Sequence, residues 1–223
     1  MHLPLMTNFY TRLITALTLG TCFWLSYTYG PPLLFSALLI AIASIIIVCE
    51  WQQLFNIKSW SFWLIMPFYP ILPFIFLIML NHQPLYHPLL LILFMIVFSF
   101  DTGSYIVGSL LGMNELCPDI SRGKTWEGVF GGYIFACIGL IFVLWEQNIT
   151  KPWTCISGFT AIVCFLSLLG DLFESWLKRR AGVKDSGTLL PGHGGFLDRF
   201  DGILFAVFFF YFCRDFIVRL FYG

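Results

Sequence analysis

Charge is what this sequence has least of. Only 11% of its 223 residues are charged, and the formal net charge at pH 7 is zero. A soluble globular domain carries about 25% charged residues, so an ordinary solvated surface is excluded. The zero balance gives no bulk attraction to nucleic acid or to anionic partners. Zinc-type spacing is missing as well. The seven cysteines, at 22, 49, 117, 137, 155, 164 and 213, form no CxxC and no Cys/His pattern, and most lie in apolar runs where a thiol is a small hydrophobe. There is no internal repeat, low-complexity tract or linker. No small-residue cleavage site follows the first apolar run, so that run is read as a retained helix rather than a signal peptide.

What fills the chain instead is apolar. Hydrophobic residues make up 59% of the sequence, and the mean hydropathy is +0.85. The expectation is an all-α, polytopic integral membrane protein with about seven transmembrane helices. The expected spans are 13–29, 33–49, 61–80 (kinked by Pro67, Pro70 and Pro73), 89–111, 128–145, 155–172 running on to about Arg180, and 202–212 and onward. Each lies near the ~20 residues that a helix needs to cross the hydrocarbon. Gly30-Pro31-Pro32 turns the chain between the first two, and Trp51 and Trp60 suit an interface belt.

Seven crossings place the 112–127 and 173–201 loops on one side. That side carries nine Lys and Arg against three on the other, which predicts that both loops are cytoplasmic. The reading is of one membrane domain, 1–223, with lipid-embedded helices over 1–100 and a catalytic half over 101–223. An inner (cytoplasmic) membrane is the expected location.

Against this background one polar run stands out. Residues 175–201 hold five of the twelve Lys+Arg and three of the twelve Asp+Glu. Asp171, Ser175 and Lys178 are spaced i, i+4, i+7, along one face of a helix leaving the bilayer, with Glu174 adjacent. Asp198 and Asp201 are spaced i, i+3. Three carboxylates (Asp171, Asp198, Asp201) brought to one point suit a hard divalent cation such as magnesium. The ordinary alternative is interfacial charges in plain salt bridges, and the loop tips the balance away from it. Gly192, Gly194 and Gly195 around His193 let backbone N–H groups approach an anion, while Lys178, Arg179, Arg180 and Lys184 supply cations for phosphate.

A second constellation begins at Asp101. A carboxylate inside an apolar run costs about 2.5–3.5 kcal/mol on insertion scales, so it faces a cavity or a partner. Gly103, Gly108 and Gly112 beside it also read simply as helix-packing positions. Ser121-Arg122-Gly123-Lys124-Thr125 ends like a P-loop, but Pro118 stands where its first glycine belongs and no strand is expected before it. Lys124, with the hydroxyls of Ser121 and Thr125 and a helix start at Glu127, remains a phosphate grip. His82 and His87 read as loop histidines, with no acidic residue near.

Ser175-x-Leu177-Lys178-Arg179, Lys184-Asp185 and His193-Gly194-Gly195-x-x-Asp198-Arg199-x-Asp201 together resemble the signature of the phosphatidate cytidylyltransferases (CDP-diacylglycerol synthases), over 27 consecutive residues. Asp101-x-Gly103-x-Tyr105 and Ser121-x-x-Lys124-Thr125-x-Glu127-Gly128 resemble the family's upstream blocks, and Arg12-Leu13-Ile14 and Glu50-Trp51 its N-terminal part. The chain is shorter than members commonly are, with helices missing between Glu50 and Asp101. Arg122 stands where the family usually has proline.

The resemblance implies CTP + phosphatidate → CDP-diacylglycerol + pyrophosphate, with CTP, phosphatidate and membrane lipid as partners and a homodimer as the assembly. It implies Asp171, Asp198 and Asp201 as ligands of a two-cation cluster centred on magnesium, and Lys178 on the reacting phosphates. Ser175, Arg179, Lys184, Asp185, His193, Gly194 and Gly195 would hold CTP. Ser121, Lys124 and Thr125 would take headgroup or triphosphate, and Asp101 would join the metal shell or orient a neighbour. The competing readings are the same chemistry on another lipid phosphate, an ion-coupled transporter using Asp101 and Asp171, and a noncatalytic relic. A transporter would be expected to show inverted repeats.

Overall fold

The computed structural model describes residues 18, 20–55, 58–187, 189–190 and 194–223, with Arg122 described by its backbone alone. Of the expected first span, 13–17 and 19 lie outside these residues, and 20–28 are helical (α1). Five helices among the described residues are long and apolar enough to cross a membrane: α2 (Pro32–Leu54), α3 (Trp60–His82), α4 (His87–Leu111), α5 (Trp126–Glu146) and α6 (Trp153–Ala181). They match the second to sixth expected spans to within a few residues. The expected seventh is split. α7 (Leu197–Phe212) ends at Cys213 and α8 (Arg214–Tyr222) follows, burying Ile217 and Phe221. The chain is an all-α, multi-pass membrane protein, and its large exposed apolar side chains, such as Leu33, Trp63, Phe130 and Phe165, are those that lipid would cover.

One sheet departs from the all-helical expectation. Glu115–Cys117 (β1) pairs antiparallel with Ser121–Thr125 (β2), Glu115 opposite Thr125 and Cys117 opposite Ser121. Pro118 and Asp119 form the turn, closed by the Ile120 N–H donating to the Cys117 carbonyl at 3.1 Å. A hairpin this short leaves too little alternation to be told from a polar loop.

The chain divides into two compact units, Met1–His82 with Leu177–Phe200, and Gln83–Trp176 with Asp201–Gly223. In the first, α2 and α3 are joined by a buried polar contact. The Asn81 side-chain amide donates to the Pro32 carbonyl at 2.8 Å and to Ser36 Oγ at 2.9 Å, and Ser36 lies 3.1 Å from His82 Nε2. The prolines bend α3 as expected: Pro67–Ile71 winds as a π-turn with Tyr69 outside helical dihedrals, the geometry of a strong kink. Trp51 packs against Phe55 and Tyr69.

In the second unit α4 packs on α5 through small residues. A Cβ on Gly103 would stand 2.6 Å from Phe135, and one on Gly128 would stand 2.9 Å from the Ser104 carbonyl. Such close backbone approach is how helices associate where water gives no hydrophobic drive. It is the packing reading of these glycines.

Candidate active site

The second unit gathers carboxylates because two helices cross closely at glycines, Gly170 on one and Gly202 on the other. A Cβ on Gly170 would stand 3.0 Å from the Asp201 carbonyl carbon, and a Cβ on Gly202 would strike Ser167 Oγ. With α6 and α7 this close, Asp171 and Glu174, one turn apart on α6, meet Asp201 on α7. One oxygen from each of the three lies within 4.8 Å of the others. Glu174 is fully buried and Asp201 is 6% exposed, while the Asp171 side chain is 28% exposed. Asp201 Oδ1 accepts from the Gly202 N–H at 2.7 Å, and Ser175 Oγ donates to Asp171 Oδ1 at 3.4 Å.

Like charges held this close repel strongly where water is scarce. Lys124 answers part of that charge, its Nζ contacting Asp171 Oδ2. The donor set is three hard oxygens with no Cys or His, which suits magnesium rather than zinc.

Lys124 is delivered by the hairpin. The next residue, Thr125, takes the N-cap position of α5, its Oγ1 accepting from the Gly128 N–H at 3.1 Å. Glu127 ties the other side of the hairpin, accepting from Asn114 Nδ2 at 2.6 Å and from the Met113 and Asn114 N–H groups at 3.3 Å. Ser121 sits half-buried at the start of β2, and Asp101 lies exposed on α4.

The first unit holds the rest of the signature. Gly194, at φ +78°, is in the left-handed region, and a Cβ there would stand 2.6 Å from Asp198 Oδ2. The loop therefore closes around Asp198. That carboxylate accepts from the Gly195 N–H at 2.7 Å, the Ser186 N–H at 3.1 Å and Ser186 Oγ at 3.0 Å. Lys178 Nζ donates to its other oxygen at 2.7 Å. The glycine amide expected to meet a phosphate is here bonded to the chain's own carboxylate. Arg179, Lys184 and Asp185 are exposed; His193 and Gly192 lie outside the described residues.

Three residues of these two clusters were not among the expected site residues. Glu174 was noted only as adjacent to the Asp171 face. Ser186, fully buried, follows Lys184-Asp185 and could have been suspected as a hydroxyl beside a charged pair. Glu50 closes an apolar run, and nothing in its local sequence points to Phe196 and Leu197, whose N–H groups it accepts at 2.7 and 2.8 Å.

Comparison with known proteins bears on the whole chain. Residues 6–217 match the model of the cytidylyltransferase family. A phosphatidate cytidylyltransferase of Haemophilus influenzae is 43% identical over 144 residues, covering 62% of this chain and 50% of that protein. The protein of the same name from Bacillus subtilis is 47% identical over 118 residues, covering 52% of this chain and 44% of its own length. That of Staphylococcus haemolyticus is 46% identical over 114 residues, covering 51% and 44%. The chain spans about half the length of the curated relatives it matches.

Proposed function

The chain belongs to the cytidylyltransferase family, and on that premise we propose that it transfers the cytidylyl group of CTP to phosphatidate, giving CDP-diacylglycerol and pyrophosphate. The observation that carries the reading is the Asp171, Glu174 and Asp201 cluster, with oxygens within 4.8 Å of one another and Lys124 against Asp171.

A phosphate oxygen of phosphatidate attacks the α-phosphorus of CTP. The new P–O bond forms as the bond to the bridging oxygen breaks, and pyrophosphate leaves with the electron pair. The attacking group is already an anion, so no strong general base is required. The work left to the protein is to bring two polyanions into line and to offset the charge on the leaving group.

Asp171, Glu174 and Asp201 would hold magnesium, which when bound neutralises phosphate charge; a second cation would enlarge the same cluster. Lys124 takes a phosphate oxygen and, being bonded to Asp171, keeps that carboxylate oriented before substrate arrives. Lys178 serves the reacting phosphates, and Ser175, Arg179, Lys184 and Asp185 serve CTP. Asp198 holds Lys178 and the glycine turn in place, a role supported by its four donors. The reaction runs at the cytoplasmic face of an inner membrane, in a homodimer.

The test is CTP-dependent conversion of phosphatidate by the purified protein in detergent, with magnesium and with chelator, beside Asp201→Asn. Magnesium-dependent CDP-diacylglycerol formation that the variant loses supports the reading. Wild-type protein that makes no product overturns it.

A further inference from the structure

We infer that Glu50 is a positioning residue, a buried clamp that holds the signature loop in the shape that binds CTP; this rests on the cytidylyl-transfer reading. The residue is fully buried at the end of a π-turn, Ile46–Glu50, inside α2. A π-turn adds one residue to the helical repeat and is found often at functional positions.

The donors that Glu50 takes are backbone groups at the start of α7. Oε1 accepts the Phe196 N–H at 2.7 Å, and Oε2 accepts the Leu197 N–H at 2.8 Å. The first N–H groups of a helix have no partner within the helix and carry its positive end, so a carboxylate there satisfies both hydrogen bonding and dipole. The loop has shed side chains to admit this carboxylate. A Cβ on Gly195 would stand 2.7 Å from Glu50 Oε1, and a Cβ on Gly187 would stand 3.0 Å from Glu50 Cγ.

Glu50 reaches Lys178 through two further residues, Ser186 and Asp198. Ser186 Oγ lies 3.4 Å from Glu50 Oε2 and 3.0 Å from Asp198 Oδ2, and Asp198 pairs with Lys178. The serine hydroxyl has one proton within reach of both carboxylates, and the Ser186 N–H donates to Asp198 Oδ2 at 3.1 Å, so Ser186 ties the two carboxylates to one point of the loop. A buried carboxylate is expensive to keep. Here it fixes the loop ends and Lys178 together while touching no substrate atom itself.

The experiment compares wild type with Glu50→Gln, Glu50→Asp and Ser186→Ala in detergent, by kinetics and by hydrogen exchange at the Phe196 and Leu197 amides. Glu50→Gln keeps the volume but turns an amide donor toward one of the two N–H groups. Faster exchange at both amides is expected, with a 10- to 100-fold rise in KM for CTP and an unchanged KM for phosphatidate. Glu50→Asp, which restores the charge, recovers part of the loss.

Unchanged exchange, or a kcat loss with both KM values unchanged, overturns the inference. Where Glu50→Gln fails to fold, Ser186→Ala decides: it leaves both amide bonds intact, and a CTP KM equal to wild type overturns the link to Lys178. A wild type with no transfer activity sinks the catalytic reading instead, and exchange at the two amides then decides the clamp by itself.

Discussion

Gly170 on α6 lies against the backbone of Asp201 on α7, so close that a Cβ at 170 would stand 3.0 Å from the Asp201 carbonyl carbon. That contact sets the separation of the Asp171 and Asp201 carboxylates. Gly170→Val adds three carbons where the opposing atoms are backbone and cannot rotate away. Overpacking of this kind costs about 1–3 kcal/mol, and the helices must part. The expected result is a lower melting temperature in detergent together with a magnesium requirement raised about tenfold or more, as for lost support around a metal site. A variant that melts lower but keeps the wild-type magnesium curve would show that the crossing does not set the cluster.

Glu174 gives a sharper test of which carboxylates act together. Spacing alone nominates Asp171, Asp198 and Asp201, whereas the carboxylates that gather are Asp171, Glu174 and Asp201. Glu174→Gln is isosteric and removes one charge from a fully buried position. Transfer activity is expected to fall by about 100-fold or more, on the scale of losing one preorganised electrostatic contact, and excess magnesium should recover part of it. Full activity at ordinary magnesium would remove Glu174 from the ligand set.

The Thr125 cap on α5 predicts a change in stability. Its Oγ1 accepts the Gly128 N–H at 3.1 Å, and removing a threonine cap costs about 1 kcal/mol. Thr125→Ala should therefore melt lower, and Thr125→Ser, which keeps the hydroxyl, should return most of the difference. Equal melting of Thr125→Ala and wild type would mean that the hairpin holds the helix start without the cap.

What was legible in the residues follows from the range of the forces involved. Apolar runs near the bilayer thickness announce themselves, and α2 to α6 begin and end within a few residues of the expected limits. Asp171, Asp201 and Lys124 stood out because charge beside apolar sequence is rare. The partner of each charge was hidden. Asp198 and Asp201 look alike by spacing, yet Asp198 is surrounded by Lys178, Ser186 and Gly195, and only folded backbone reveals which carboxylate its amides enclose. Glu50 was hidden more deeply, since its bond to Leu197 spans 147 positions of sequence. The β1–β2 hairpin was missed because its strands are three and five residues long.

The Lys178–Asp198 pair separates structural from chemical contributions. Its Nζ–Oδ1 distance is 2.7 Å, and the side chains are 13% and 8% exposed. Lys178→Met leaves a largely buried carboxylate with its amide and hydroxyl donors but without its ammonium. Stability should fall by ~2 kcal/mol, because a charged group that loses a hydrogen-bonded partner out of water keeps its desolvation cost. Adding Asp198→Asn removes the charge that has lost its ammonium partner, and the double variant should recover at least half of the lost stability. Activity should not return, since the ammonium that meets the reacting phosphates is still missing. A double variant that regains both would make Lys178 a purely structural partner; one that regains neither would show that Asp198 is needed to close the loop through Ser186 and Gly195 whatever stands at 178.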